Sequence, residues 1–393
     1  MRWPTDEVVD ADPSLGSALC QLAMGLDALY RRTRSSTGES ALASEGLVPL
    51  DLWRGDGLHL ADWSAAAEAV SGLRARAGLV PEPVRRAFVE DTLLSLATLV
   101  AWQAGDTPPF RELASRLLGL AIEPLAPADL SAWRERARAA RVAEDATTLL
   151  ENELGPFIQA TLVQARARAE QRIGALPPRA LMRLELVHDV PYTAYCDYVS
   201  NTMRLNADQP FTRERLKLLI LHEAYPGHDY HLAWRERDVR AGLQPADGLL
   251  VITNTPSSPL FEGIGDNGPF FLGWLEPSER AHFGLAELRS AACVNACLLL
   301  HEQGEPAERV YEFLVEEALG QPAWARTRVR FMQDPLRAPF VFSYYFGYRA
   351  VADASAEWRG ARCDFYQTLY GRMHSPRSLR LAVELANRRT SAA

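Results

Sequence analysis

The chain has 393 residues, of which 48% are hydrophobic, so it is long enough to bury a large core. Its 42 basic and 50 acidic residues leave a net charge of −8, which provides no positive surface for a phosphate backbone. This balance argues against nucleic acid as a partner.

The residues at the N-terminus lack the basic and apolar segments of a secretory leader, and no uninterrupted apolar run of about 18 residues predicts a membrane span. The five cysteines are scattered along the chain and are too few for a secreted disulfide framework. We therefore expect a cytoplasmic protein with free thiols and without a membrane partner.

Apolar residues recur at three- and four-residue spacing over most of the chain, which predicts a mainly α-helical fold. Pro156 is expected to divide or kink a long helical stretch, because its ring clashes with the preceding turn. The small and polar residues of 35–56 predict a surface connection. Helices are predicted at 14–34, 61–77, 83–103, 109–120, 128–174, 212–225, from 227 onward, and at 278–301, 306–320, 323–331, 341–358, 360–370 and 376–388.

The helical pattern is interrupted twice in the second half of the chain. Short β-favourable runs between residues 184 and 206 predict one irregular β-hairpin near the active site. The polar loop 253–259 either shapes a substrate pocket or is a simple connector. We interpret residues 1–175 as a helical scaffold and residues 176–393 as the metal-binding catalytic region, within one continuous globule that has a cleft.

Three of the eight histidines lie within residues 222–231. In the H-E-x-x-H pattern of zinc hydrolases, two histidines one helical turn apart reach the same ion. Here His222 and His228 are six positions apart, about 240° around a continuous helix, which would keep them apart. Pro226 removes a helical hydrogen bond and Gly227 permits unusual backbone angles, so we expect the helix to break and the two imidazoles to converge.

A catalytic zinc ion needs a third protein ligand and an open position for water or substrate. Glu262 is the best candidate, because small residues flank it after an apolar run. Asp266 could accept the remaining N–H of a ligand imidazole. Glu223, directly after His222, is the expected general base, and His231 is a weaker alternative to His228 as ligand.

The pattern His-Glu-x-x-Pro-Gly-His at 222–228, followed by Glu262-Gly263, resembles a bacterial family named only as domain of unknown function 885. His301, an arginine-rich stretch at 326–330 and Ser-Tyr-Tyr-Phe-Gly at 343–347 extend the likeness over residues 180–390. The resemblance implies a helical zincin of the glutamate-ligated (gluzincin) type. It implies one Zn²⁺ ion on His222, His228 and Glu262, with Glu223 as general base and Tyr344 near the substrate carbonyl.

The chain also departs from the family pattern around the expected site. It has Ile-Gly-Asp-Asn at 264–267, where the family usually shows an aromatic residue, an alanine and a tyrosine. His231 stands where glutamine is common, and Asn295 or Cys297 lies near an expected aspartate. Family members are often longer, secreted and lipid-anchored. We therefore expect a retained metal core and a rebuilt substrate pocket, suited to a small substrate in specialised metabolism.

The sequence thus predicts a zinc-dependent hydrolase that cleaves an amide or peptide bond in a small-molecule or short-peptide substrate. Metal-activated water would attack the bond, with Glu223 taking its proton. Tyr344, Tyr345 and Arg349 are candidate donors to the oxyanion, with Tyr344 first; helix packing is the alternative role for the two tyrosines.

Two rival functions remain open at this point. Two histidines and one carboxylate also describe the site of non-haem iron enzymes, and the chain could instead bind metal at a degenerate site without turnover. Cys293, Cys297 and His301 recur at four-residue spacing, either as a second metal site or, as we favour, as a buried apolar stripe. The sequence leaves the oligomeric state open.

Overall fold

The computed structural model describes residues 14–34, 46–146, 148–190 and 192–392. The fold is mainly α-helical with two small sheets, as predicted. The helices are α1 (Ser14–Arg34), α2 (Trp63–Ala77), α3 (Pro83–Gln103), α4 (Phe110–Leu118), α5 (Pro127–Ala146), α6 (Glu151–Arg172), α7 (Arg213–Glu223), α8 (His228–Arg240), α9 (Ser257–Leu272), α10 (Pro277–His301), α11 (Ala307–Glu317), α12 (Pro322–Gln333), α13 (Val341–Glu357), α14 (Arg362–Gly371) and α15 (Pro376–Ala392).

Most of the predicted helices appear within a few residues of their expected bounds. The long stretch 128–174 divides into α5 and α6 before Pro156, which lies inside α6 rather than at the break. The predicted surface connection falls partly on residues 35–45, which lie outside the described residues, as does the N-terminal segment 1–13. Helix α9 was not predicted, since three glycines and two prolines within it lower its helix propensity.

The strands form two separate sheets. They are β1 (Leu50–Asp51), β2 (Arg183–Val187), β3 (Ala194–Asp197), β4 (Thr202–Asn206) and β5 (Leu250–Val251). Strands β3 and β4 form the expected antiparallel hairpin, and β2 adds to β4 in parallel, a pairing that the local pattern did not predict. Strand β3 is therefore an edge strand of the order β2-β4-β3.

The residues group into two compact units, each assembled from separate segments of the chain. The first comprises Met1–Ala121, Trp234–Leu260 and Asp353–Ala393, and within it α3 packs against α2, α4 and α15. The second comprises Ile122–Ala233 and Phe261–Ala352, and within it α10 packs against α5, α7 and α11. This grouping differs from the predicted boundary at residue 175, because α5 and α6 pack with α10 and α7 respectively.

Helix α10 is the apolar centre of the second unit. Its length and hydropathy would suffice to cross a membrane, yet 56% of its most apolar window is buried inside the protein. Buried residues on several of its faces include Leu285, Leu288 and Val294. The contacts with α5, α7 and α11 are those of a core helix.

The single lysine of the chain, Lys217, joins α7 to the first turn of α10. Its Nζ lies 2.8 Å from each carboxylate oxygen of Glu279 and 3.9 Å from the ring centroid of Trp274. Both charged side chains are nearly buried, at 8% and 11% exposure. This ion pair holds in place the helix that carries the histidine motif.

We expect Glu279→Ala to lower the free energy of unfolding by about 3–5 kcal/mol, because it leaves the ammonium of Lys217 buried without a counter-charge. Denaturant unfolding followed by circular dichroism measures this loss. The control is Glu316→Ala, which removes an exposed glutamate of α11 and should change stability by less than about 0.5 kcal/mol. Equal stabilities of the two variants would contradict the role given to this ion pair.

Candidate metal centre

The histidine motif lies across a break between two helices. Helix α7 ends at Glu223 and α8 begins at His228, so the helix is interrupted at the Pro-Gly step as predicted. The backbone N–H of Gly227 donates to the carbonyl of Leu221 at 3.0 Å. A Cβ at position 227 would lie 1.7 Å from the carbonyl oxygen of His222, so only glycine allows the chain to turn back this tightly.

The break brings the two imidazoles together. The ring centroids of His222 and His228 are 4.5 Å apart. Glu262 lies beside both, with carboxylate oxygens 3.3 Å from Nε2 of His222 and 3.8 Å from Nε2 of His228. One potential ligand atom from each of the three residues lies within 4.8 Å of the others, in the one such group found among the described residues.

Glycines allow α9 to bring Glu262 close to the break. A Cβ at Gly265 would lie 2.7 Å from Nδ1 of His222, and one at Gly263 would lie 2.1 Å from the carbonyl oxygen of Gly347 on α13. These residues cost helix propensity, but they permit close approach of the helix to its neighbours. The glycines whose low helix propensity prevented the prediction of α9 therefore also allow Glu262, the third candidate ligand, to approach the two histidines.

Asp266, one turn along α9 from Glu262, contacts the second ring nitrogen of His222. Its Oδ1 lies 2.9 Å from Nδ1 of His222. A carboxylate that accepts the Nδ1–H fixes the tautomer and leaves Nε2 as the ligand atom. This is the arrangement that the sequence suggested for Asp266.

The cluster is strongly coupled electrostatically. Burial by itself lowers the pKa of His222, but the charges of Asp266 and Glu262 outweigh it and hold that pKa well above its usual range. Burial and the neighbouring histidines lower the pKa of His228. Burial raises the pKa of Glu262, although His222 opposes the rise. The buried Glu262 and the half-buried Asp266 thus favour the charged form of the first imidazole.

The donor set fits a zinc ion. Zinc binds imidazole nitrogen and carboxylate oxygen at about 2.0–2.2 Å, which in a tetrahedral site places ligand atoms roughly 3.4 Å apart. The 3.3 and 3.8 Å separations from Glu262 to the two histidines are close to that value. Three protein ligands leave the fourth position available for water or substrate, as in catalytic rather than structural zinc sites.

Glu223 is the last residue of α7 and is 6% exposed. Burial, together with the charge of Glu262, raises its pKa to about 7, against the opposing effects of His222 and of a hydrogen bond from the backbone of Cys196 on β3. Glu223 follows His222 directly in the chain, and the charges of both His222 and Glu262 act on it. A carboxyl group with a pKa near neutrality can both accept and return a proton.

The three candidate oxyanion donors, Tyr344, Tyr345 and Arg349, lie in different surroundings. Burial raises the pKa of Tyr344, on which the charges of Glu262 and Arg328 also act. Cζ of Arg328 lies 5.3 Å from the centroid of the Tyr344 ring. Tyr345 instead packs against Trp133, with ring centroids 5.9 Å apart. Arg349 is exposed, and its charge acts on Glu287. Tyr344 is thus the donor candidate that the geometry favours.

The sequence did not indicate Arg328 as a candidate site residue. It belongs to the arginine-rich stretch 326–330, but nothing in the spacing indicates which of these arginines faces the metal cluster. In the structure its charge acts on Glu262 as well as on Tyr344.

His231 is buried close to the cluster but outside the group of three. Its ring lies 5.7 Å from Phe261, which in turn stacks on His228 at 4.0 Å. Cys293, Cys297 and His301 were considered as a second metal site, and two of them contact backbone carbonyls instead. Sγ of Cys297 lies 3.5 Å from the carbonyl oxygen of Ala338, and Nε2 of His301 lies 2.8 Å from that of Met332.

No family model matches the chain, and no curated protein matches it in sequence. Among solved structures, a presumed lipoprotein from Colwellia psychrerythraea is similar at a TM-score of 0.53 and 13% identity, over 82% of this chain and 70% of that one. A presumed lipoprotein of unknown function from Shewanella oneidensis is similar at a TM-score of 0.52 and 15% identity, over 81% and 72% of the two chains. At these identities the likeness shows a shared fold and nothing more.

Proposed function

We propose that the chain is a zincin-like, zinc-dependent hydrolase that cleaves an amide or peptide bond in a small substrate. The observation that carries this proposal is that potential ligand atoms of His222, His228 and Glu262 lie within 4.8 Å of one another. The buried carboxyl group of Glu223 is within reach of the charges of His222 and Glu262. Zinc bound there would supply a Lewis acid and lower the pKa of water toward neutrality. The motif that resembles family 885 supports the same assignment.

Within this proposal, Glu223 takes a proton from the attacking water and returns it to the leaving amine. Its burial and its raised pKa suit both steps. Asp266 keeps the first imidazole in one orientation through the contact with Nδ1 of His222.

The 2-His-1-carboxylate set would also hold iron, as in non-haem iron oxygenases. The placement of Glu223 favours hydrolysis, because an oxygenase needs no base adjacent to its first ligand. A degenerate metal-binding protein would share all these distances and differ only in turnover. Measured turnover therefore distinguishes a hydrolase from a metal-binding protein with a degenerate site.

Zinc-loaded protein incubated with a panel of dipeptides and N-acyl amino acids provides the test. We expect at least one substrate to be cleaved, with activity removed by a chelator and restored by zinc. Liquid chromatography of the products measures the cleavage. A protein with a full complement of zinc that cleaves no amide or ester would be a metal-binding protein without this activity.

Tyr344→Phe is expected to lower kcat by about 100-fold with little change in KM or zinc content, because one oxyanion donor is lost. Steady-state kinetics on the best substrate measures the effect. Tyr345→Phe, which alters the neighbouring ring packed on Trp133, is the matched control and should retain kcat within about twofold. If both variants kept full activity, the donor would have to be another group.

The cytoplasmic location stays a proposal. It rests on the few scattered cysteines of the sequence. The two similar structures come from presumed lipoproteins, a description that belongs to those proteins. Fractionation of the native host with an antibody against the chain would locate it.

A further inference from the structure

Arg328 on α12 is half-buried, and its charge acts on Glu262 of the proposed metal site. Its charge acts on the hydroxyl of Tyr344, and its Cζ lies 5.3 Å from the centroid of the same ring. Its Cζ also lies 6.0 Å from the ring centroid of Phe331. A fixed positive charge thus lies within about 6 Å of two aromatic rings, one of which belongs to the proposed oxyanion donor.

Arg328 forms no ion pair with any carboxylate among the described residues, whereas Arg330 on the same helix pairs with Asp189 at 3.0 Å. Removing a charge from water without a counter-charge is unfavourable. The titratable neighbours Tyr344 and Cys293 do not compensate it, because burial raises both their pKa values, that of Cys293 to about 11. Both groups are uncharged near neutral pH.

Glu262 is the remaining anionic group whose charge acts on Arg328. In the proposed function that carboxylate is a zinc ligand, so its charge is shared with the ion. An anionic group from outside the protein would complete the charge balance around Arg328. Guanidinium is well suited to this, since it can offer a carboxylate two parallel N–H donors.

We propose that Arg328 binds a carboxylate of the substrate next to the amide bond that is cleaved. The inference rests on the proposed hydrolase function, since it places the amide at the metal cluster. Two sources supply this chemistry. The carboxylate belongs either to the leaving amine, as in N-acyl amino acids and peptides cleaved at their last residue, or to the acyl group, as in amides of dicarboxylic acids.

Calorimetry on zinc-loaded Glu223→Gln protein tests this without turnover. One arm compares N-acetyl amino acids, covering apolar, acidic and basic side chains, with their carboxamides. The other arm compares N-succinyl amines with the corresponding succinamides. We expect the carboxylate in one arm to bind about 10- to 100-fold more tightly than its amide, the range of a charge-assisted hydrogen-bonded pair. The arm that discriminates identifies the source of the carboxylate.

Adding Arg328→Met to the Glu223→Gln protein should reduce the preference for the carboxylate over its amide to within about twofold. Adding Arg328→Lys instead should keep part of that preference. Arg330→Met is the matched control on α12 and should leave the preference intact. Equal binding of acid and amide in both arms, or no binding at all, would overturn the inference, as would loss of zinc from Arg328→Met protein. A preference for carboxylates in a wild-type protein that cleaves nothing would support the role of Arg328 and reject the hydrolase.

Discussion

Glu223→Gln is expected to lower kcat by about 10²- to 10⁴-fold while the protein retains one equivalent of zinc. The amide of glutamine has the shape of the carboxyl group but cannot accept a proton from water. Since Glu223 is buried and has a pKa raised by burial to about 7, replacing it by a neutral group should leave stability unchanged or slightly higher. Kinetics on the best substrate, zinc analysis and thermal unfolding measure the three quantities.

Glu214→Gln, near the start of the same helix α7, is the matched control. It should keep full activity, because Glu214 lies more than two helical turns from the metal cluster along α7. If Glu223→Gln with bound zinc or iron turned over at the wild-type rate, the general-base assignment would be wrong. Oxygen-dependent turnover that survived Glu223→Gln would instead favour oxygenase chemistry at the same ligand set.

Gly227→Ala should destabilise the protein by more than about 3 kcal/mol and remove zinc binding together with activity. The added Cβ would lie 1.7 Å from the carbonyl oxygen of His222 and 2.6 Å from that of Leu221. Both neighbours are backbone atoms, so no side-chain movement relieves the overlap, and the cost exceeds that of ordinary overpacking. Opening the turn moves His228 away from His222. Denaturant unfolding and zinc analysis give the two measurements.

Gly284→Ala provides the control for the change from glycine to alanine. Gly284 lies inside α10, and nothing lies within 4 Å of the Cβ that alanine would add. The substitution should raise stability by about 0.5–1 kcal/mol, because alanine has the higher helix propensity. A Gly227→Ala protein as stable and as rich in zinc as Gly284→Ala would show that the tight turn does not hold the site.

The spacing of the histidines was enough to predict the central geometry. An interval of six residues excludes a shared ion on a continuous helix, and Pro226 and Gly227 supply the means of breaking it. The observed convergence of His222 and His228 at a helix break follows that reasoning. Asp266 could be assigned because metal-bound imidazoles need a partner for their second nitrogen.

The features that the sequence did not predict depend on long-range contacts. Helix α9 has poor local propensity and is stable because its glycines pack closely against residues distant in sequence, such as Gly347. Strand β2 pairs in parallel with β4 although β3 lies between them in sequence, a register that no local pattern encodes. The contact of Arg328 on α12 with the ring of Tyr344 on α13 likewise joins residues that no local pattern relates.

The zinc content of the purified protein tests the central claim most directly. Wild-type protein dialysed against micromolar zinc should hold about one equivalent by elemental analysis, and His222→Ala should hold less than about a tenth of that. His188→Ala, which removes a histidine with 70% side-chain exposure, should match the wild type. Equal zinc in His222→Ala and wild-type protein would show that His222, His228 and Glu262 do not form the metal centre.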